Sequence, residues 1–180
     1  MATEELSLLG RQFMAGVLAH SAALAALAAP TVNSYKRLGA GASASGSTWA
    51  PTHAAHGSNN RTALLRTLPG RFEWRLPDAS CNPYIALAGL ITAGLDGIDR
   101  QLDPGAACAR DLYAEPVAGG ANALPANLEQ ALRALEADAV VLGALGAEAA
   151  PVFLALKRVE WQAYVQQVSP WELDRYAERF

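Results

Sequence analysis

The sequence predicts an α+β fold in which helices pack against the strands of an antiparallel β-hairpin. Three observations predict it. First, Arg71-Phe72-Glu73-Trp74-Arg75-Leu76 alternates charged and apolar residues, as a half-buried strand does. Second, the turn dipeptide Pro69-Gly70 precedes it, so a strand over Asn59–Leu68 would return antiparallel beside it. Third, long alanine- and leucine-rich stretches flank this hairpin and carry helical periodicity. The chain has 180 residues, the size of one domain or a large piece of one. Its composition, 52% hydrophobic but only 7% aromatic, suits closely packed helices.

Leu6–Ala29 reads as one helix, with a stripe of Leu9, Phe13, Val17, Leu24 and Leu27 and with Pro30 just beyond its end. Thr31–Leu38 leads into Gly39–Ser47, a loop of small residues, and Trp49–Gly57 reads as an irregular connection. Pro83–Leu102 reads as a second long helix, with Asn82 as N-cap and Pro83 at its first position. Gly89, Gly94 and Gly97 lower its helix propensity, which makes sense if another element packs close against it. Asp103-Pro104-Gly105 breaks the chain, and Ala106–Pro125 reads mostly as loop. Asn127–Leu135, Val140–Leu145 and Ala149–Val168 read as helices, the last amphipathic through Phe153, Leu156, Val159 and Trp161. Ser169-Pro170-Trp171-Glu172 starts a short terminal helix. Two strands do not make a stable sheet, so further strands are expected in another segment or another chain.

The charged face of the Arg71–Leu76 strand has two readings. It can be a solvated ladder of ion pairs. It can also be a site, with Glu73 holding a hard divalent cation while arginines grip carboxylate or phosphate oxygens. Arg61, Arg66, Arg71 and Arg75 surround the single Glu73 between Asn59 and Arg75, in a chain of net charge -3. A local cationic cluster in an acidic protein favours a focused anion site.

Other classes are disfavoured. No lysine-rich stripe or repeated aromatic-basic alternation points to nucleic acid. The apolar runs near 22–29 and 85–95 are too short to span a membrane, and the acidic start lacks the basic character of a secretory signal. Cys81 and Cys108 make no disulfide framework and have no metal-ligand spacing, so the default is packed thiols in a reduced, cytoplasmic protein. His53 and His56, three apart, sit in a Pro/Gly-flanked loop that does not favour a metal site. His20 reads as a helix-face residue.

Several blocks taken together resemble the glutamine synthetase family. They are Asn33-Ser34-Tyr35-Lys36-Arg37-Leu38, Asn60-Arg61-Thr62, Arg71–Asp78, Asn82-Pro83-Tyr84, Ala93-Gly94-Leu95-Asp96-Gly97-Ile98 and Asp111-Leu112-Tyr113-Ala114-Glu115-Pro116. They follow that family's order and cover nearly the whole chain, residues 1–180, as the C-terminal portion of its catalytic domain. The resemblance implies an ATP-dependent glutamate–ammonia or glutamate–amine ligase acting through a γ-glutamyl phosphate. It implies Mg2+ or Mn2+ as metal, with Glu73 as a ligand. Arg75 would contact glutamate and the transferred phosphoryl group, with Arg61 also catalytic. Arg37 would lie on the glutamate side, and Arg61, Arg66 and Arg71 around the nucleotide phosphates. Tyr113 matches a position that some bacterial members adenylylate. The complete enzymes are rings with active sites between subunits.

Two departures shape the expectation. The Gly39–Ser47 loop has no acidic residue where ammonia-using members carry a glutamate. With Trp49-Ala50-Pro51 and Asn59-Asn60-Arg61, it resembles the γ-glutamylmethylamide synthetase and γ-glutamyl-amine ligase branch. The family's amino-terminal domain and its other metal ligands have no counterpart here. The isolated chain is therefore expected to be inactive. The alternative is a non-enzymatic truncated paralogue that assembles with full-length subunits or binds anionic metabolites.

Overall fold

The computed structural model describes residues 6–38, 50–114 and 123–179. Eight helices and three strands are formed there: α1 (Leu8–Ala19), α2 (Ser21–Ala28), α3 (Val32–Leu38), β1 (His56–Ser58), β2 (Leu65–Leu68), β3 (Arg71–Trp74), α4 (Pro83–Asp99), α5 (Leu128–Ala137), α6 (Ala139–Gly143), α7 (Gly146–Val165) and α8 (Pro170–Tyr176). The architecture is α+β, as expected. The Gly39–Ser47 loop and Trp49 lie outside the described residues.

The hairpin forms as predicted. Leu65–Leu68 pairs antiparallel with Arg71–Trp74, and Gly70 takes the positive φ of 70° that the tight connection requires. The first strand is shorter than the expected Asn59–Leu68. Asn59 adopts a left-handed conformation, and the Asn60 side chain accepts from the backbone N–H and the hydroxyl of Thr62. These contacts fold 59–64 into a turn. The further strand expected in another segment is His56–Ser58, at the end of the stretch read as an irregular connection, and it runs parallel to β2 in the order β1-β2-β3. Its three residues, one of them glycine, are too few to show a period of two.

Behind the sheet lies a helical core. Leu24 and Leu27 of α2 are fully buried, as are Leu128, Leu132 and Leu135 of α5. Phe72 and Trp74, on the apolar face of β3, pack against this cluster. The Phe72 ring lies 6.3 Å from Phe13 of α1, joining the underside of the strand to the first helix.

The glycines of α4 have the role their cost implied. A Cβ on Gly97 would lie 2.2 Å from the Gln12 carbonyl oxygen and 2.5 Å from the Gly16 nitrogen. One on Gly16 would meet the Ala93 carbonyl oxygen at 2.1 Å. Helices α1 and α4 thus touch backbone to backbone. As read from the sequence, Asn82 caps α4 with Pro83 in its first turn, and Ser169 and Glu172 form a capping box on α8. The stripe assigned to α7 divides: Phe153 and Trp161 pack on the core, whereas Leu156 and Val159 are exposed.

The single helix expected over Leu6–Ala29 breaks at His20, and His20 is buried rather than on a helix face. Its Nδ1 lies 2.6 Å from Asp138 Oδ2, and its Nε2 lies 2.9 Å from Asp96 Oδ2. Asp138 Oδ1 accepts from the N–H groups of Val140 and Val141, starting α6. Asp96 also accepts from Arg100. One imidazole thereby ties the α1–α2 junction to α4 and α6. Burial disfavours the imidazolium, but the two carboxylates outweigh that, and the His20 pKa is raised above 6.5. The partner Asp96 carboxyl is lowered, first by its bond to His20.

Two outcomes follow from this packing. Gly97→Ala should cost about 3 kcal/mol of unfolding free energy, because the added methyl meets main-chain atoms that cannot swing aside. Urea denaturation measures it, and a loss under about 0.5 kcal/mol would mean the helices have room to spare. Removing the His20 imidazole should cost about 2–3 kcal/mol near neutral pH. With a raised folded pKa, the histidine's contribution is complete below the unfolded value of 6.5 and fades as pH climbs through the folded value. With a lowered folded pKa, the contribution of Asp96 fades in acid. The stability gap between wild type and His20→Gln should therefore be widest just below pH 6.5, narrow as pH rises above it, and narrow again in acid as Asp96 protonates. A gap that widens as pH rises above 6.5 would refute the charged clasp.

Candidate functional site

The strand register builds the site. Glu73 stands directly opposite Arg66 across the hairpin, so both project from the same face. Arg71 and Arg75 share that face by the alternation of β3. Arg66 Nη1 donates to Glu73 Oε2 at 2.9 Å and to Oε1 at 3.2 Å. Its Nε donates to Asn59 Oδ1 at 3.0 Å, and its Nη2 also reaches that oxygen. Asn59 is thus a site-building residue that the sequence analysis missed. A paired Asn-Asn before an arginine, in a segment misread as strand, was the available signal.

Arg75 Nη1 lies 3.9 Å from Glu73 Oε2. The N–H of Arg75 donates to the Leu64 carbonyl, which continues the hairpin pairing one residue beyond β3. Burial pulls the Arg75 pKa down, Glu73 pulls it up, and the charges of Arg66 and Arg61 lower it further. Glu73 is held below the ordinary carboxylate range, first by the Arg66 hydrogen bond and further by Arg75 and Arg71. Arg61 sits exposed in the turn between β1 and β2, and Arg71 sits exposed at the head of β3.

Arg37 reaches the same corner from α3. Its Nη2 donates to the carbonyl of Leu76, the residue after Arg75, at 2.5 Å. Arg37 Nε is buried and has no hydrogen-bond partner among the described residues. Asp78 feels the Arg37 charge, and its N–H is fixed by the Ala28 carbonyl of α2. Tyr113 faces inward. Its hydroxyl donates to the Ala50 carbonyl at 2.5 Å, and the charges of Arg75 and Arg37 act on it. Tyr113, which matches a position that some family members adenylylate, is therefore part of the wall near Arg75.

All six predicted site residues, Arg37, Arg61, Arg66, Arg71, Glu73 and Arg75, thus belong to one corner of the sheet. The other candidates lie apart. His56 Nε2 bonds to the Gly105 carbonyl and His53 Nδ1 to the Thr52 hydroxyl, so the two imidazoles do not converge on a metal. Cys81 and Cys108 are free, half-buried thiols. No group of three metal-ligating side chains occurs among the described residues. Glu73 supplies a single carboxylate already engaged by Arg66, whereas hard divalent cations take about six oxygen ligands. The described residues therefore do not make a complete magnesium or manganese site. They form a row of guanidinium groups beside one carboxylate, with Arg66 oriented by Glu73 and Asn59. No described helix is long and apolar enough to cross a membrane.

Comparison with known proteins agrees with this geometry. The chain is 50% identical over 182 residues to the glutamate–methylamine ligase of Methyloversatilis universalis, a match covering 97% of this chain and 40% of that protein. It is 47% identical to a glutamine synthetase of Rhizobium leguminosarum bv. phaseoli, covering 94% of this chain and 39% of that protein. A solved structure described as a GmaS/ADP complex, conformation 1, superposes with a TM-score of 0.89 at 45% identity, covering 99% of this chain and 41% of that one. The chain thus spans about 40% of the length of the curated relatives it matches. Residues 1–176 match the family described as glutamine synthetase, catalytic domain, and the chain belongs to that family.

Proposed function

We propose that residues 1–180 are the C-terminal portion of the catalytic domain of an ATP-dependent ligase that joins glutamate to ammonia or a small alkylamine. The observation that carries this reading is the convergence of Arg66, Arg71 and Arg75 on Glu73, with Arg37 seated on the carbonyl that follows Arg75, in a member of this family. The glutamate γ-carboxylate attacks the terminal phosphorus of ATP, and ADP leaves. The amine then attacks the acyl carbon, phosphate leaves, and the nitrogen loses a proton. Both steps pass through anions that oriented guanidinium groups stabilise without reorganising. Arg75 grips glutamate and the transferring phosphoryl group, assisted by Arg61. Arg66, Arg71 and Arg61 hold the nucleotide phosphates, and Arg37 holds glutamate. A relative solved with ADP supports the nucleotide assignment.

Family membership implies a divalent metal, Mg2+ or Mn2+, for which Glu73 would be one ligand. The others would come from outside the described residues, so this chain alone is proposed to be inactive. A homo-oligomeric ring is proposed for the complete enzyme. Exposed apolar side chains on α4 (Tyr84, Leu87, Ile91 and Leu95) and on α7 (Val152, Leu156 and Val159) supply surface that a larger assembly would cover.

The amine is proposed to be an alkylamine such as methylamine. The Gly39–Ser47 segment has no carboxylate to attract an ammonium ion, and the relative from Methyloversatilis universalis is a methylamine ligase.

Two measurements on the complete enzyme, the chain joined to the amino-terminal part its relatives carry, test these roles. Arg75→Lys should lose activity on the order of 10²-fold, since an ammonium keeps the charge but not the planar two-point grip. A rate within about threefold of wild type would place Arg75 outside the site. In competition at equal free-base concentration, mass analysis should show γ-glutamylmethylamide exceeding glutamine. Predominant glutamine would reverse the amine assignment, and absence of both products would remove the ligase reading.

A further inference from the structure

Helix α3 carries Arg37 into the site, yet it has only seven residues, too few to be stable without outside contacts. Tyr35 anchors it to α2 through the Ala25 carbonyl, and further contacts come from α7, a helix far from the arginines in sequence and outside the blocks that resemble the family. The first N–H groups of a helix have no partner within it. At α3, Thr31 takes the N–H of Ser34. The N–H of Val32 donates instead to Glu160 Oε1 of α7 at 3.2 Å. The second oxygen of Glu160 accepts from Lys157 Nζ at 2.8 Å, which fixes the rotation of the carboxylate. Further along, Lys36 Nζ lies 5.6 Å from the centre of the Tyr164 ring, a cation–π contact from the next turn of α7. Glu160 and Tyr164, four residues apart, present one face of α7 to both ends of α3. Arg37 follows Lys36 directly, and its guanidinium is seated on the Leu76 carbonyl, so a shift of α3 moves it against Arg75.

We propose that Glu160 is a positioning residue for Arg37: it sets the docking of α3, and through it the placement of the guanidinium proposed to hold glutamate. Tyr164 assists at the other end. The link from Arg37 to glutamate rests on the ligase reading above. The link from Glu160 to Arg37 does not.

The experiment therefore has two arms. In the 180-residue chain, the side-chain Nε–Hε resonance of Arg37 is assigned by its loss in Arg37→Lys. Glu160→Ala should shift or broaden that resonance, while Glu160→Gln, which still offers an oxygen to the Val32 N–H, should restore it. An unmoved Arg37 resonance in Glu160→Ala, with the substitution tolerated, overturns the proposal. If Glu160→Ala fails to fold, Tyr164→Leu and Glu160→Gln are read instead. The first should move the resonance and the second should leave it, and the reverse pattern overturns the proposal. In the complete enzyme, Glu160→Ala should raise KM for glutamate about tenfold and change KM for ATP less than twofold, the signature of a displaced substrate group rather than general loosening. Equal rises in both constants overturn it. A wild-type enzyme without ligase activity would sink the ligase reading and leave the resonance arm to decide the positioning role.

Discussion

Main chain against main chain, at Gly16 and Gly97, is the contact on which the other layers rest. Because neither residue has a Cβ, α1 and α4 approach until backbone atoms touch. That approach sets Phe13 directly over Gly94, where a Cβ would lie 2.2 Å from the ring. Phe13 in turn meets Phe72 on the underside of β3. The upper side of the same strand carries Arg71, Glu73 and Arg75. The height at which those groups stand above the core is therefore set two layers below them, by two missing methyl groups. Close-packed interiors transmit displacement in this way because no slack absorbs it.

The readable parts of the fold were those written in local chemistry. Alternation at Arg71–Leu76, Pro69-Gly70, the Asn82 cap and the Ser169 capping box each act over a few residues; the turn and both caps formed as read, and the strand formed over Arg71–Trp74. The missed parts depend on groups distant in sequence. Nothing near His20 announces that Asp96 and Asp138 will close on it, so a helix that periodicity would continue breaks there. Strand β1 is paired only because Asn59 and Asn60 fold the following residues back within a short span. Local pattern favours strand over that span, and side-chain hydrogen bonds to nearby backbone override it.

The site was more legible than the fold, for a related reason. Its cations lie close together in sequence, and a two-residue turn is enough to set Arg66 opposite Glu73. To the hairpin charges the structure adds contacts that alternation cannot show. Arg37 arrives from a separate helix onto the carbonyl beside Arg75, and Tyr113 closes the same corner. Six charged groups come from α3, the β1–β2 turn and the two strands of the hairpin, more than a ladder on one hairpin would contain. The metal expectation fared differently: Glu73 is where it was expected, but the described residues surround it with cations rather than with further oxygen ligands.

That excess of positive charge has a thermodynamic consequence. Arg61, Arg66, Arg71 and Arg75 carry four positive charges around one carboxylate, and Arg37 adds a fifth nearby. Like charges held together raise the free energy of the folded state relative to an unfolded chain in which they separate. The site is thus a standing cost to the fold, kept in place by Asn59, the Leu76 carbonyl and the rigid hairpin. Such local instability is common where proteins preorganise a site for a ligand of opposite charge, and stabilising it by neutralisation tends to erase function. Any polyanion that docks here removes the repulsion and stabilises the native state through mass action. A corner where like charges crowd is, for that reason, a corner through which a bound anion would strengthen the fold.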